Sequence, residues 1–259
     1  MNSKYMSFVN ELRRGVNEHE FIPFFQPLVC AKTKKIIGIE VLMRWRHPEK
    51  GLILPDYFIH EAELSGLIID MTSILIKSTI NFLNVNKHHF LPGFQIAFNI
   101  TSLHFESEQI LNDCHYFQSV CGMNGWRLSL ELTERCMLND TFDVMNSIHR
   151  LAFMGVYLSL DDFGTGYSGL KLLQKIKFNS IKIDRSFVSG IGRDEVSERI
   201  VDSVIITAKK MRLMLVAEGV ETKEQEKYLC DHGVNVLQGY LYGKPMSPKG
   251  FIDFLLSPQ

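Results

Sequence analysis

Eight residues able to do chemistry recur at one kind of place along the chain: Glu40, Asn99, Glu131, Asp161, Asp162, Lys182, Glu218 and Gln238. They follow short apolar runs, as Glu40 follows Ile36 to Ile39 and Glu218 follows Leu213 to Ala217. A single acid in such a place is ordinarily a helix cap or a loop residue. Seven successive runs ending in polar groups are hard to ascribe to capping. Five carboxylates converging with one lysine repel one another unless a cation neutralises them. Carboxylate and amide oxygens are hard ligands, suited to Mg2+ or Mn2+ rather than to zinc or copper. Five acids exceed what one such ion usually takes. The adjacent Asp161 and Asp162 can bridge two ions about 3.5–4 Å apart, the two-metal arrangement for phosphodiester hydrolysis.

The segment Asp161-Asp162-Phe163-Gly164-Thr165-Gly166-Tyr167-Ser168 carries the most information. Two glycines after a strand permit a sharp loop with positive φ close to phosphate or metal. The bland alternative is an ordinary turn between strand and helix, which the paired acids disfavour.

These residues need elements to position them. The apolar runs predict strands ending near Asn99 (Phe94 to Phe98), Glu131 (Leu128 to Leu130), Asp161 (Val156 to Leu160), Lys182 (Ser180 and Ile181) and Gln238 (Val234 to Leu237). Phe21 to Val29, around Gln26, supplies one more. Helical spacing predicts helices over Asp56 to Leu67, Met71 to Leu83, Phe142 to Met154, Glu195 to Met211 and Lys223 to His232, with Asp56 and Thr222 as N-caps. The first 20 residues read as a short amphipathic helix, with Phe8, Leu12 and Val16 on one side, leaving residues 21–259 for the main domain. Eight strand candidates in 259 residues give about 32 residues per unit. Buried strands alternating with helices imply a mostly parallel sheet, and at this length a (β/α)8 barrel of the α/β class fits better than an open doubly wound sheet. In such a barrel, residues at the C-terminal ends of the strands converge on one face.

Composition removes other classes. Hydrophobic residues make up 46% and charged residues 22%, so disorder and fibrous repeats are excluded. A net charge of −1 gives no basic excess for a nucleic-acid polymer or an anionic membrane. The five cysteines form no CxxC pair and the nine histidines show no HExxH spacing, which argues against disulfide and zinc frameworks. The N-terminus lacks an apolar signal core, and no stretch approaches the roughly 18 uninterrupted apolar residues of a membrane span. A cytoplasmic protein is expected.

The ordered motifs identify a family resemblance over residues 21 to 256. Glu40-Val41-Leu42 with Arg44, Asn99-Ile100-Thr101, Glu131-Leu132-Thr133-Glu134, the Asp161 segment, Lys182-Ile183-Asp184, Ala217-Glu218-Gly219-Val220-Glu221 and Gln238-Gly239-Tyr240 occur in sequence. In this respect the chain resembles the EAL-domain cyclic di-GMP phosphodiesterases. The resemblance implies a TIM-like barrel, with one strand antiparallel in that family, and two Mg2+ or Mn2+ ions. It implies that Glu40, Asn99, Glu131 and Asp161 bind one metal, and that Asp161, Asp162 and Glu218 hold the second. Lys182 would contact the attacking water, assisted by Gln238, so that Lys182, Glu40, Gln238 and Glu218 form the catalytic group. Arg44 is expected to hold a substrate phosphate, with Gln26 and Asp184 as further substrate contacts. Glu134 is expected to anchor the Asp161–Ser168 loop, with a similar supporting part for Glu221.

The implied reaction opens cyclic di-GMP to linear pGpG with no histidine as general base, leaving His47 and His104 structural. The rival reading is a catalytically silent receptor for the dinucleotide, or a protein-interaction module. A free-standing enzyme acting as a homodimer is expected. Valine replaces the alanine of the family's name motif, and threonine stands where its asparagine motif often has serine. The family also usually has a second serine after the loop tyrosine, whereas Gly169 follows Ser168 here. A loosened loop is the expected consequence.

Overall fold

A computed structural model describes residues 3–136, 138, 141–166 and 168–257. Tyr167, part of the Asp161 segment, lies outside the described residues.

Nine strands form one sheet: β1 (Phe21–Cys30), β2 (Ile36–His47), β3 (Gly51–Ile53), β4 (Gln95–Ile100), β5 (Arg127–Thr133), β6 (Tyr157–Phe163), β7 (Ser180–Ile183), β8 (Met214–Ala217) and β9 (Val236–Leu237). The order is β1-β9-β8-β7-β6-β5-β4-β2-β3, and a further β1–β2 pairing closes eight of the strands into a barrel. Every neighbour from β2 through β4 to β9 is parallel; β1 runs antiparallel to both β2 and β9. The antiparallel strand follows from the short connection between β1 and β2, since only an antiparallel pair can be joined by so few residues.

Glu40 does not end its strand, as the sequence reading placed it. It sits inside a twelve-residue strand, because β2 pairs with β1 from Ile36 to Trp45 and then with β3 from Trp45 to His47. The hairpin carries β2 past the barrel rim. Glu40 still reaches the other strand ends: it is in register with Ala97, and Asn99, two residues on along β4, donates to its carboxylate at 2.7 Å. Residues 40, 42 and 44 share one face of β2, which brings Arg44 above Glu40 at the rim.

Helices cover the outside, and apolar faces decide their placement. Ile68–Val85 buries Met71, Leu75, Ile76 and Leu83. This is the one helix among the described residues long and apolar enough to cross a membrane, and half of it is buried on the barrel. Glu195–Met211 begins at Asp194, whose carboxylate accepts the amides of Val196 and Ser197. Lys223–Asp231 begins with the expected Thr222 cap, a reciprocal capping box with Gln225. The helix expected over Asp56 to Leu67 is instead a 3-10 turn, Pro55–Tyr57, followed by Ile59–Leu64. Asp56 caps nothing there: Pro55 starts the turn and Phe58 occupies the cap position without a side-chain bond. The N-terminal helix, Ser3–Asn17, buries Val9 and Leu12 and lies beside Trp45, whose indole NH donates to Glu20 at 2.8 Å.

Candidate active site

Lys182 on β7 has no exposed surface, and its ammonium group lies among carboxylates from four other strands or their ends. It reaches Glu218 Oε1 at 2.5 Å, Glu131 Oε2 at 2.6 Å, Asp161 Oδ2 at 3.4 Å and Glu40 Oε2 at 3.7 Å. Oxygens of Asp161, Asp162 and Glu218 all fall within 4.8 Å of one another. Asn99 donates to Glu40 Oε1 at 2.7 Å, and Gln238 donates to Glu40 Oε2 at 2.5 Å. The structure therefore brings together all eight residues that follow the apolar runs.

The charge balance is strained. Burial pushes the Glu131 carboxyl up to about 8, with Glu40 and Asp161 adding to the rise against Lys182. Burial, with Asp161 and Glu40, likewise carries Glu218 well above the usual range. Burial and the neighbours Asp161 and Asp184 push Asp162 up to about 6. Glu40 goes the other way: burial would raise it, but Lys182, Gln238 and Asn99 together hold it below the ordinary value. Lys182 is raised well above its normal value because the four carboxylates outweigh its burial. One ammonium shared by four carboxylates, three of them buried and Glu218 partly so, leaves the group short of positive charge. A set of hard oxygen donors in that condition fits divalent cations of the Mg2+ or Mn2+ kind.

The remaining predicted residues separate into groups. Gln26 pairs with Glu40 across the β1–β2 ladder and is buried. Its amide oxygen accepts from Gln238 at 3.1 Å and its nitrogen donates to the Gly243 carbonyl at 3.3 Å, so both ends are used inside the protein. Asp184 caps the short helix Arg185–Val188 by accepting the Ser186 amide at 3.0 Å and its hydroxyl, and it lies against Asp162. Arg44 is half-buried, with its guanidinium 5.3 Å above the Phe24 ring and donating to the Met43 carbonyl at 2.7 Å. Glu134 is buried and accepts the amides of Gly164 (2.8 Å), Gly166 (3.2 Å) and Gly169 (2.8 Å). Glu221 departs from expectation. Its side chain is exposed, and among the described residues only its amide is engaged, with Gln225 at the start of the Lys223–Asp231 helix. Its backbone serves the capping box, and among the described residues no contact joins its side chain to the Asp161 loop.

One feature escaped the sequence reading. A pocket of about 290 Å³ opens beside Asn99, walled by Val41, Met43, Pro55, Phe98 and Ile100, with Asp56 and Glu63 on its lining. Burial raises the Glu63 carboxyl. The available signal was the β2 face shared by Glu40 and Leu42 beside the Pro55 turn, but no spacing rule ties residues 42, 56 and 63 to Asn99.

A closed (β/α)8 barrel whose mouth gathers acids around one lysine defines a class of barrel with a hard-metal oxygen site. Within that class the chain belongs to the EAL domain family, whose profile matches residues 9–245. It is 41% identical over 239 residues to the cyclic di-GMP phosphodiesterase PdeL of Escherichia coli, covering 92% of this chain and 66% of that protein. It is 39% identical over 259 residues to the probable cyclic di-GMP phosphodiesterase PdeD of the same organism, covering 98% of this chain and 47% of that one. The chain thus spans about half to two thirds of the length of these relatives. The solved PaMucR phosphodiesterase in its c-di-GMP complex superposes with a TM-score of 0.82 at 31% identity, covering 95% of this chain and 99% of that one.

Proposed function

We propose that the chain is a metal-dependent phosphodiesterase that opens cyclic di-GMP to linear pGpG. The carrying observation is Lys182 enclosed by Glu40, Glu131, Asp161 and Glu218, in a fold shared with a phosphodiesterase solved with this dinucleotide. Glu40, Asn99, Glu131 and Asp161 would hold one divalent ion, and Asp161, Asp162 and Glu218 the second. Mg2+ or Mn2+ there would supply water activation and neutralisation of the developing phosphate charge. Lys182 contributes a fixed positive charge at the floor of the site and orients the attacking water. Gln238, itself held by Gln26, keeps Glu40 turned toward the mouth. Arg44 stands on the same face of β2 as Glu40, and its forked donors suit a phosphate of the substrate.

The exposed side chains of Phe142 (83%) and Leu170 (69%), at the helix starts on the same end of the barrel as the Asp161 loop, support a homodimer. Sedimentation showing only monomer at micromolar concentration would count against it. Five unpaired cysteines accord with a cytoplasmic setting.

The test incubates the pure protein with cyclic di-GMP and Mg2+ or Mn2+, with and without chelator, beside Glu40→Ala. Metal-dependent pGpG that disappears in the variant is the expected result. Tight binding without product would instead identify a receptor that has kept its ligand set for recognition.

A further inference from the structure

The pairing of β8 with β9 continues past the ends of both strands. Val216 and Ala217 lie in register with Val236 and Leu237, and the Gln238 amide donates to the Ala217 carbonyl at 2.9 Å. Gly219 then turns left-handed at a φ of 65° and sends the chain back toward β9. The Val220 amide donates to the Gln238 carbonyl at 3.0 Å, and the Leu241 amide to the Val220 carbonyl at 3.0 Å. Glu218 is thus an extra residue between two rungs, and such a bulge re-aims its side chain. Here that side chain reaches Lys182 in the mouth. Gly239 follows Gln238 at this clasp. Its φ is not left-handed, so backbone freedom is not the reason for a glycine there. Space is. A Cβ at 239 would overlap the Val220 nitrogen and oxygen and stand 2.7 Å from its carbonyl carbon. These are backbone atoms of a residue without exposed surface, fixed by both rungs, so no side-chain rotation relieves the overlap.

We propose that Gly239 is a positioning residue for both ion seats: its missing side chain lets the Val220 peptide close against the end of β9, and that clasp holds Glu218 and Gln238 in one fixed relation. The proposal rests on the reading of Glu40 and Glu218 as metal holders. Gly239 acts through Glu218 on one side and, on the other, through Gln238, which donates to Glu40. An alanine there must part Val220 from Gln238, and whichever strand end gives way takes a seat with it. Movement of β8 displaces Glu218, and movement of β9 releases Glu40. Arg44 stands on β2, outside the clasp, and keeps its place. The damage therefore falls on the ions and on turnover rather than on the hold of the substrate.

The test compares wild type, Gly239→Ala and Val204→Ala, all as the full chain. Val204 is buried on the Glu195–Met211 helix, so its truncation lowers stability without touching the mouth. Mn2+ affinity is measured by calorimetry and turnover of cyclic di-GMP by product formation. Exchange of the Val220 and Leu241 amides is followed in wild type with and without Mn2+. Gly239→Ala is expected to weaken Mn2+ binding about tenfold or more and to lower kcat by a similar factor, with KM within about twofold of wild type. Val204→Ala should bind Mn2+ as wild type does. In wild type, Mn2+ should slow exchange of both clasp amides about tenfold, because opening the clasp has to release an ion. Unchanged Mn2+ affinity in Gly239→Ala, a raised KM at unchanged kcat, or an equal loss of affinity in Val204→Ala overturns the proposal. Should Gly239→Ala fail to fold, the wild-type exchange decides alone: slowing by Mn2+ upholds the proposal, and unchanged exchange overturns it. Wild type that binds no Mn2+ would overturn the metal reading itself, a result distinct from any difference among the variants.

Discussion

A lysine without exposed surface that touches four carboxylates both depends on them and keeps them apart. Lys182→Met should therefore do two separable things. Activity should fall at least about 100-fold, through loss of a preorganised charge at the reacting centre. The metal-free protein should also lose roughly 3–5 kcal/mol of stability, since removing one partner of a buried ionic group strands the others. Excess Mn2+ should shrink that second loss. Urea unfolding with and without Mn2+ checks it, and an equal loss in both conditions would refute the cation-for-ammonium exchange. At this scale the sequence was legible wherever residue type and strand position sufficed, as for Glu131 or Asp162. It was not legible where a partner lies far along the chain. Gln26 is expected to touch the nucleotide, and no spacing announces that its amide also meets Gln238, 212 residues away. Glu221 sits in the same kind of acidic motif as Glu134, and the exposure of the one against the burial of the other distinguishes them.

Elements convert such residues into a site, and two of them depend on one side chain each. Glu134 gathers three amides from a loop in which Asp162 itself stands at a positive φ of 54°, a conformation that costs a non-glycine residue about 1–3 kcal/mol. Glu134→Ala should release the loop, with kcat down at least about tenfold and the Gly164 and Gly166 amides exchanging freely. Unchanged exchange would show that other contacts hold it. His104 serves the turn after β4: its Nδ1 accepts the Thr101 amide at 3.0 Å in a capping box. Burial pushes this imidazole down to about 4, so the folded protein keeps it neutral. The unfolded chain, with a histidine near 6.5, then takes up the proton first as the pH falls. Stability from this group is full above about 6.5 and is lost toward pH 4, by up to roughly 3 kcal/mol. His104→Asn should flatten that slope in unfolding experiments across the window, and an identical slope would mean that His104 is not the titrating group. Helical period located several long helices, including Glu195–Met211, but passed over the fourteen-residue helix Glu108–Cys121. It missed the 3-10 turn at Pro55–Tyr57, because three residues are too few to show a period.

The whole molecule is a ring of strands, and a ring is as sound as its weakest seam. β1 pairs with β2 along nearly its full length but with β9 at two positions only, Val29 with Leu237 and Cys30 with Val236. Such a seam was invisible in the apolar runs, since β9 contributes two residues and its support comes from the end of the chain. Phe25 and Met246 exchange backbone hydrogen bonds at 2.8 and 3.0 Å, and Phe251, fully buried on the helix Pro248–Leu256, packs edge-on against Phe25 at 5.8 Å. The site is built across this closure: Gln26, next to Phe25, links through Gln238 on the far side of the seam to Glu40 on β2. Phe251→Ala removes a buried ring and should cost about 3–5 kcal/mol. The cost should fall first on the seam, because the seven-strand wall of β2 and β4 to β9 keeps its own pairings. In wild type, urea should abolish Mn2+ binding and change tryptophan fluorescence, from Trp45 and Trp126, in one transition. In Phe251→Ala the metal site should be lost at distinctly lower urea than the fluorescence change. Coincident transitions in the variant would show that the barrel opens only as a unit, and that the chain's last helix stabilises the whole ring rather than its closure.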